Sequence, residues 1–129
     1  MNGTILTGDA LSMLRTLPDE SVHCCVTCGP TRARRDVWTV ATRGFPDAHF
    51  ATFPPDLIRP CILAGCPQGG AVLDPFFGSG TVGQVCIEEG RNFLGIELNP
   101  EYVAMAERRI ANARPHGPQQ ASFREEETA

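Results

Sequence analysis

The sequence predicts an α/β fold: a mostly parallel sheet, reduced in strand number, with helices on both faces. Three observations carry that reading. Apolar runs of strand length alternate along the chain with stretches of helical apolar spacing. Between residues 71 and 97 the order is strand, glycine turn, helix, strand, acidic residue, which a parallel βαβ unit builds most economically. The 129 residues, 42% of them hydrophobic, suit one small domain with a real core. They are too few for a nucleotide-type core plus a second domain of ordinary size. The domain is placed at 1–114, with 115–129 expected as a flexible C-terminal tail.

Ile5-Leu6 begins a short strand, broken at Gly8-Asp9. Ala10, Leu11, Met13, Leu14 and Leu17 then recur at helical spacing, and Pro18 closes the helix. Val22–Thr27 carries no formal charge and reads as a buried strand that ends at Gly29-Pro30. Signals weaken over residues 31–56. There Val37–Val40 fits either a short strand or an ordered loop, and Pro46, Pro54 and Pro55 prevent long regular elements. From Asp56 to Ala64 the pattern is helical, with Leu57, Ile58, Cys61, Ile62 and Leu63 on one side and Pro60 placed in the first turn. Glycines and Pro67 connect this helix to a strand at 71–73. After a glycine-rich turn, a helix runs from Thr81 to Glu89 and stops at Gly90. The next strand, Asn92–Ile96, is marked at its end by Glu97. Asn99 as N-cap and Pro100 as first helical residue open a final helix, packed through Tyr102, Val103, Met105, Ala106 and Ile110.

Composition narrows the function classes. A formal charge of −4, from 15 acidic and 11 basic side chains, argues against holding nucleic acid by global electrostatics. It leaves room for a local basic face, and Arg32, Arg34 and Arg35 form the one dense cluster suited to phosphates. The six cysteines lack the paired short spacings of a zinc site and are expected as reduced, buried or incidental thiols, with no metal. No apolar run reaches the length of a membrane span, and the N-terminus lacks the pattern of a signal peptide, so a cytoplasmic location is the expectation.

The chemistry concentrates in Asp74-Pro75-Phe76-Phe77-Gly78-Ser79-Gly80-Thr81. A glycine turn between a strand and a helix lets backbone approach a ligand and presents the unpaired N–H groups of the helix start. The spelling is neither G-x-G-x-x-G nor a P-loop. Glu97, at the end of the next strand, is placed to accept hydrogen bonds from ribose hydroxyls. Asp74 adds a second carboxylate, which would repel a pyrophosphate but suits a ligand with a positive centre and an α-amino group. S-adenosylmethionine has both, and a ribose for Glu97.

These residues resemble the motifs of the beta group of DNA amino-methyltransferases, enzymes that methylate N4 of cytosine or N6 of adenine. The loop Asp74–Thr81 is similar to the family's methionine loop. Phe93-Leu94-Gly95-Ile96-Glu97-Leu98-Asn99-Pro100-Glu101-Tyr102 is similar to its ribose-binding strand and following helix. His49–Pro55 resembles the segment that closes over the methionine end, and Gly8-Asp9-Ala10 with Leu14 and Leu17-Pro18-Asp19 the segment beside the adenine. The resemblance implies a Rossmann-like S-adenosylmethionine-dependent methyltransferase fold, in full form a seven-stranded sheet. It also implies a cofactor site made of Asp9, Ala10, Phe53, Asp74, Phe76, Gly78, Ser79, Gly80, Thr81, Glu97, Leu98 and Asn99. Exposed strand edges in so reduced a sheet favour a homodimer.

The same comparison exposes departures. After the strand matching 22–27 the family carries Asp/Asn/Ser-Pro-Pro-aromatic, whose polar groups orient the target amino group and whose ring stacks on the extruded base. Here the residues are Cys28-Gly29-Pro30-Thr31, and only Pro30 matches. A thiol is a poor acceptor, glycine loosens the loop, and threonine offers no ring. Base stacking alone contributes about 1–3 kcal/mol. Only a short stretch separates Thr31 from Phe50, where the family commonly inserts a target-recognition segment. The expectation is a DNA amino-methyltransferase with impaired transfer and weak or lost sequence specificity. The alternative is an inactive S-adenosylmethionine-binding or structural remnant.

Overall fold

A computed structural model of the chain describes residues 3–26 and 53–116. Over these residues the elements are β1 (Gly3–Thr7), α1 (Ala10–Leu14), β2 (Cys24–Cys25), α2 (Pro55–Gly65), β3 (Ala71–Asp74), α3 (Thr81–Glu88), β4 (Asn92–Glu97) and α4 (Pro100–Asn112). The four strands form one sheet in the order β1-β4-β3-β2, with every pair parallel. The register sets Thr7 beside Glu97 and Asp74 beside Gly95, so the C-terminal ends of β1, β4 and β3 share one edge.

The central strands β3 and β4 carry the apolar runs that burial on both faces demands: Val72, Leu73, Phe93 and Ile96 are all buried. Edge strand β1 is mostly exposed or half-buried. It extends beyond Ile5-Leu6 because pairing with Phe93–Glu97 recruits Gly3, Thr4 and Thr7, whose side chains give no apolar signal. β2 is shorter than the apolar run 22–27. Backbone bonds from His23 N–H to the Ala71 carbonyl (2.8 Å) and from Val26 N–H to the Leu73 carbonyl (2.8 Å) still hold its flanks to β3.

Asp9 caps α1 by accepting from the Ser12 N–H at 2.9 Å, and the helix gives way to turns before Leu17. α2 begins at Pro55 behind Pro54, which puts Pro60 in its second turn and not its first. The site is exposed, so the Asp56 carbonyl that lacks a Pro60 N–H partner can be hydrated. α4 starts as its sequence predicts: Asn99 accepts from the Glu101 N–H at 2.9 Å and Pro100 takes the first helical position.

The right-handed crossover rule assigns the faces. β3 to β4 through α3 runs in one direction across the sheet and β1 to β2 through α1 in the other, so α1 lies on the face opposite α3. α2 and α4 both pack against α3. The core lies between these three helices and the sheet: Ile58 and Ile62, Val82, Val85 and Cys86, Ala106, and the strand residues Val72 and Phe93. Phe77 joins it, stacked on Phe93 with ring centroids 5.5 Å apart. Each valine, isoleucine or phenylalanine among them contributes about 1.5–3 kcal/mol by burial.

An ionic cluster fastens the helices at the far end. Arg59 of α2 bonds Glu88 at 2.7 Å and Glu89 more closely still, and Nδ1 of His116 lies 3.1 Å from Glu89. The His116 N–H also donates to the Glu88 carbonyl at 2.8 Å. Burial pushes the Glu89 carboxyl up, but bonds to Arg59 and His116 outweigh it and hold the pKa below its ordinary value. The sequence reading placed no interaction here. No helix among the described residues is long and apolar enough to cross a membrane.

Candidate functional site

The chain leaves β4 into α4 on one face of the sheet and leaves β1 into α1 on the other. A crevice therefore opens outside the C-terminal ends of these two adjacent strands, the position where open α/β sheets bind ligands. Three loops line it: Gly8-Asp9 after β1, residues 75–80 after β3, and Leu98-Asn99 after β4.

The loop after β3 is shaped from beneath. Asp74 is 1% exposed, and its carboxylate accepts from the Phe76 N–H at 3.0 Å, fixing the turn. Its neighbours then diverge: Phe76 is 66% exposed and Phe77 is 3% exposed. The Phe77 N–H donates to the Ile96 carbonyl at 2.9 Å, tying the loop to β4. Its ring lies where a Cβ at Gly95 would come within 2.4 Å and one at Gly83 within 2.7 Å. Gly80 turns the chain into α3 at φ 83°, and a Cβ there would meet the Ala106 Cβ at 2.7 Å. Gly80 therefore answers two needs, a left-handed turn and close approach of α4, while Gly83 and Gly95 make room for the Phe77 ring.

Glu97 joins the loops. Its Oε2 accepts from the Gly78 N–H and its Oε1 from the Asn99 N–H, both at 2.8 Å, while its own carbonyl accepts from the Gly8 N–H at 2.9 Å. One residue thus holds the ends of all three loops, through carboxylate and backbone together. Above the turn there is room: a Cβ at Gly78 would find only the Phe76 carbonyl, at 4.0 Å. Asp9 is exposed, and bonds from the Ser12 N–H and hydroxyl lower its pKa. Leu98 (68% exposed) and Phe76 present apolar surface on the loops that line the crevice, and Leu11 of α1 is also exposed (56%).

Of the other residues singled out from sequence, Ala10 opens α1, Ser79 is buried in the loop, Thr81 is buried at the start of α3, and Phe53 is half-buried against the core before α2. Cys28, Gly29, Pro30 and Thr31, the arginines 32, 34 and 35, and Val37–Val40 lie outside the described residues. Cys24, Cys25, Cys66 and Cys86 are unbridged. Burial raises the pKa of all four, that of Cys86 to about 12, so the thiol form is favoured at neutral pH.

Sequence reasoning missed Arg109. From α4 its Nη1 donates to the Ser79 hydroxyl at 3.2 Å and, more closely, to the Thr81 hydroxyl. The available signal was its place three residues after Ala106, on the helix face that meets the loop. A groove of about 590 Å³ between α3 and the end of α4 lies away from the crevice. Its charged groups are engaged within the protein: Arg114 donates to the carbonyls of Ala111 and Ala113, and His116 meets Glu89.

Known proteins resemble this chain in sequence and in fold. The N6/N4 methyltransferase family, described as DNA methylase, matches residues 16–108. The chain is 62% identical over 82 residues to the type II methyltransferase M.XycI of Xanthomonas campestris pv. cyanopsidis. It is 63% identical over 82 residues to M.Cfr9I of Citrobacter freundii. Each alignment covers 64% of this chain and 27% of the relative, so the chain spans about a quarter of the length of the curated relatives it matches. The DNA adenine methyltransferase YhdJ of Escherichia coli K12 is 48% identical over 62 residues, covering 48% of this chain and 21% of that protein. Among solved structures, TTHA0409 of Thermus thermophilus, assigned as a DNA modification methylase and solved with S-adenosyl-L-methionine, superposes with a TM-score of 0.67. It is 16% identical, covering 91% of this chain and 98% of that one, a likeness of fold.

Proposed function

The chain belongs to the N6/N4 DNA methylase family, and from that premise we propose that it holds S-adenosylmethionine in the crevice and is a DNA amino-methyltransferase whose transfer step is impaired. The observation that carries the cofactor reading is Glu97 bridging the Gly78 and Asn99 N–H groups beneath an open glycine turn. A carboxylate offers about four acceptor directions. Two serve the loops, and the rest remain for a pair of ribose hydroxyls. The room above Gly78 admits close approach by the methionine portion, bounded by Ser79, Gly80 and Thr81, with Asp74 holding the turn in shape. Phe76 and Leu98 supply apolar surface for a flat adenine, with Asp9 and Ala10 at its rim and Asn99 beyond Glu97. Phe53 stands before α2 in the segment assigned to the methionine end.

When bound, the cofactor supplies a sulfonium methyl group, and the target is an exocyclic amino nitrogen, N4 of cytosine or N6 of adenine. This chain's part is to orient that nitrogen. The loop Cys28–Thr31 has the position for the task but lacks the polar acceptor and the stacking ring. Arg32, Arg34 and Arg35 are assigned to DNA phosphates, contacts that position without reading sequence. The domain is assigned to residues 1–114. Self-association into a homodimer through a strand edge is consistent with β1, a five-residue strand at one end of the strand order and mostly exposed. The inactive cofactor-binding remnant is the second reading, favoured by the same loop.

A labelled-methyl assay on mixed-sequence DNA tests the impairment. The wild type is expected near background. The triple replacement Cys28→Ser, Gly29→Pro and Thr31→Tyr is expected to raise transfer, because it restores acceptor, rigidity and ring. Efficient transfer by the wild type, unchanged by the replacement, would contradict the impaired reading, and a folded, cofactor-binding triple variant that stays blank would favour the remnant.

A further inference from the structure

α4 approaches the glycine loop closely because position 80 has no side chain and position 106 has only a methyl group. One turn further along that helix, Arg109 reaches back to the loop and donates from a single nitrogen to the hydroxyls of Ser79 and Thr81. Both residues are nearly buried, at 6% and 4% exposure. A hydroxyl has two lone pairs and one proton. With the arginine on a lone pair, each proton is turned away from α4, and a cationic donor polarises the O–H bond and strengthens its own donation.

We propose that Arg109 is a positioning residue for a ligand carboxylate: through Ser79 and Thr81 it gives the loop two polarised hydroxyl donors with which the site recognises the amino-acid end of its ligand. The inference rests on the S-adenosylmethionine reading and adds to it a selectivity for the carboxylate. Burial lowers the Arg109 pKa, but a guanidinium remains charged, so its donation to the two hydroxyls is charge-assisted. The relay also accounts for two hydroxyl residues flanking Gly80, where packing alone would be met by alanine and valine.

The test compares two ligands on the full chain by titration calorimetry. S-adenosylhomocysteine carries the amino-acid carboxylate; 5′-methylthioadenosine keeps the adenosine and lacks it. Arg109→Gln is expected to weaken S-adenosylhomocysteine about tenfold while leaving methylthioadenosine within about twofold. Arg109→Lys, which restores the charge, is expected to recover part of the loss. Should Arg109→Gln fail to fold by circular dichroism, Thr81→Val removes one relay hydroxyl at nearly constant shape and takes the same comparison. An equal loss for both ligands, or a loss for neither, would overturn the relay while leaving the pocket reading intact. Binding of neither ligand by folded wild type would overturn the pocket reading and the relay with it.

Discussion

Gly80 shows how much a single residue in the loop carries. It takes a left-handed φ of 83° and leaves room for Ala106, which in turn allows Arg109 to reach Ser79 and Thr81. Gly80→Ala would meet both the left-handed backbone and the 2.7 Å approach to Ala106. The expected loss of stability is about 2–4 kcal/mol, combining backbone strain with overpacking. Urea denaturation measures it, and a loss below about 1 kcal/mol would show that α4 moves away at little cost. Gly80 was legible in the sequence as a turn residue. Its packing role against Ala106 was not, because contacts between residues more than ten positions apart leave no local signature. The same reason hid Arg109. Asp74 was legible as a carboxylate at the strand end, but its burial beneath the turn depends on the Phe76 N–H and the surrounding core.

At the scale of elements, periodicity identified α3, α4, β3 and β4 closely, since each carries its own apolar pattern and, for α4, its own cap. β1 and β2 diverged because strand ends are set by the partner's register, which a lone sequence segment does not encode. Helix docking was also invisible: the contact among Arg59, Glu88, Glu89 and His116 draws on three separate segments. It has a pH signature. The folded pKa of Glu89 lies below its ordinary value of 4.5, so its stabilising contribution is fully present above that value and is lost as pH falls through the folded pKa. Acid unfolding should therefore be shallower in Glu89→Gln than in wild type across the range just below 4.5. Chemical denaturation at stepped pH checks this, and identical acid slopes would mean that the cluster contributes no net stabilisation.

For the whole molecule, one sheet edge gathers the ligand chemistry. Parallel strands bring the ends of β1, β4 and β3 together, opposite departures of α1 and α4 open the crevice, and Glu97 binds the three loops to one another. The order of motifs along the chain was enough to anticipate the parallel βαβ unit with Glu97 at its strand end, because right-handed crossovers leave few ways to wind it; the place of β1 beside β4 and the crevice depend on long-range pairing that the sequence does not display. The proposed function makes the crevice a methyl-donor pocket, and under that proposal Cys28-Gly29-Pro30-Thr31 sets the holding of the donor apart from its delivery. The central claim is therefore about binding. Titration calorimetry of S-adenosylhomocysteine into wild type and Glu97→Ala tests it most directly. The expected result is measurable one-site binding by wild type, weakened about tenfold to a hundredfold when the carboxylate is removed. Absence of binding by well-folded wild type, or affinity unchanged by Glu97→Ala, would contradict the account.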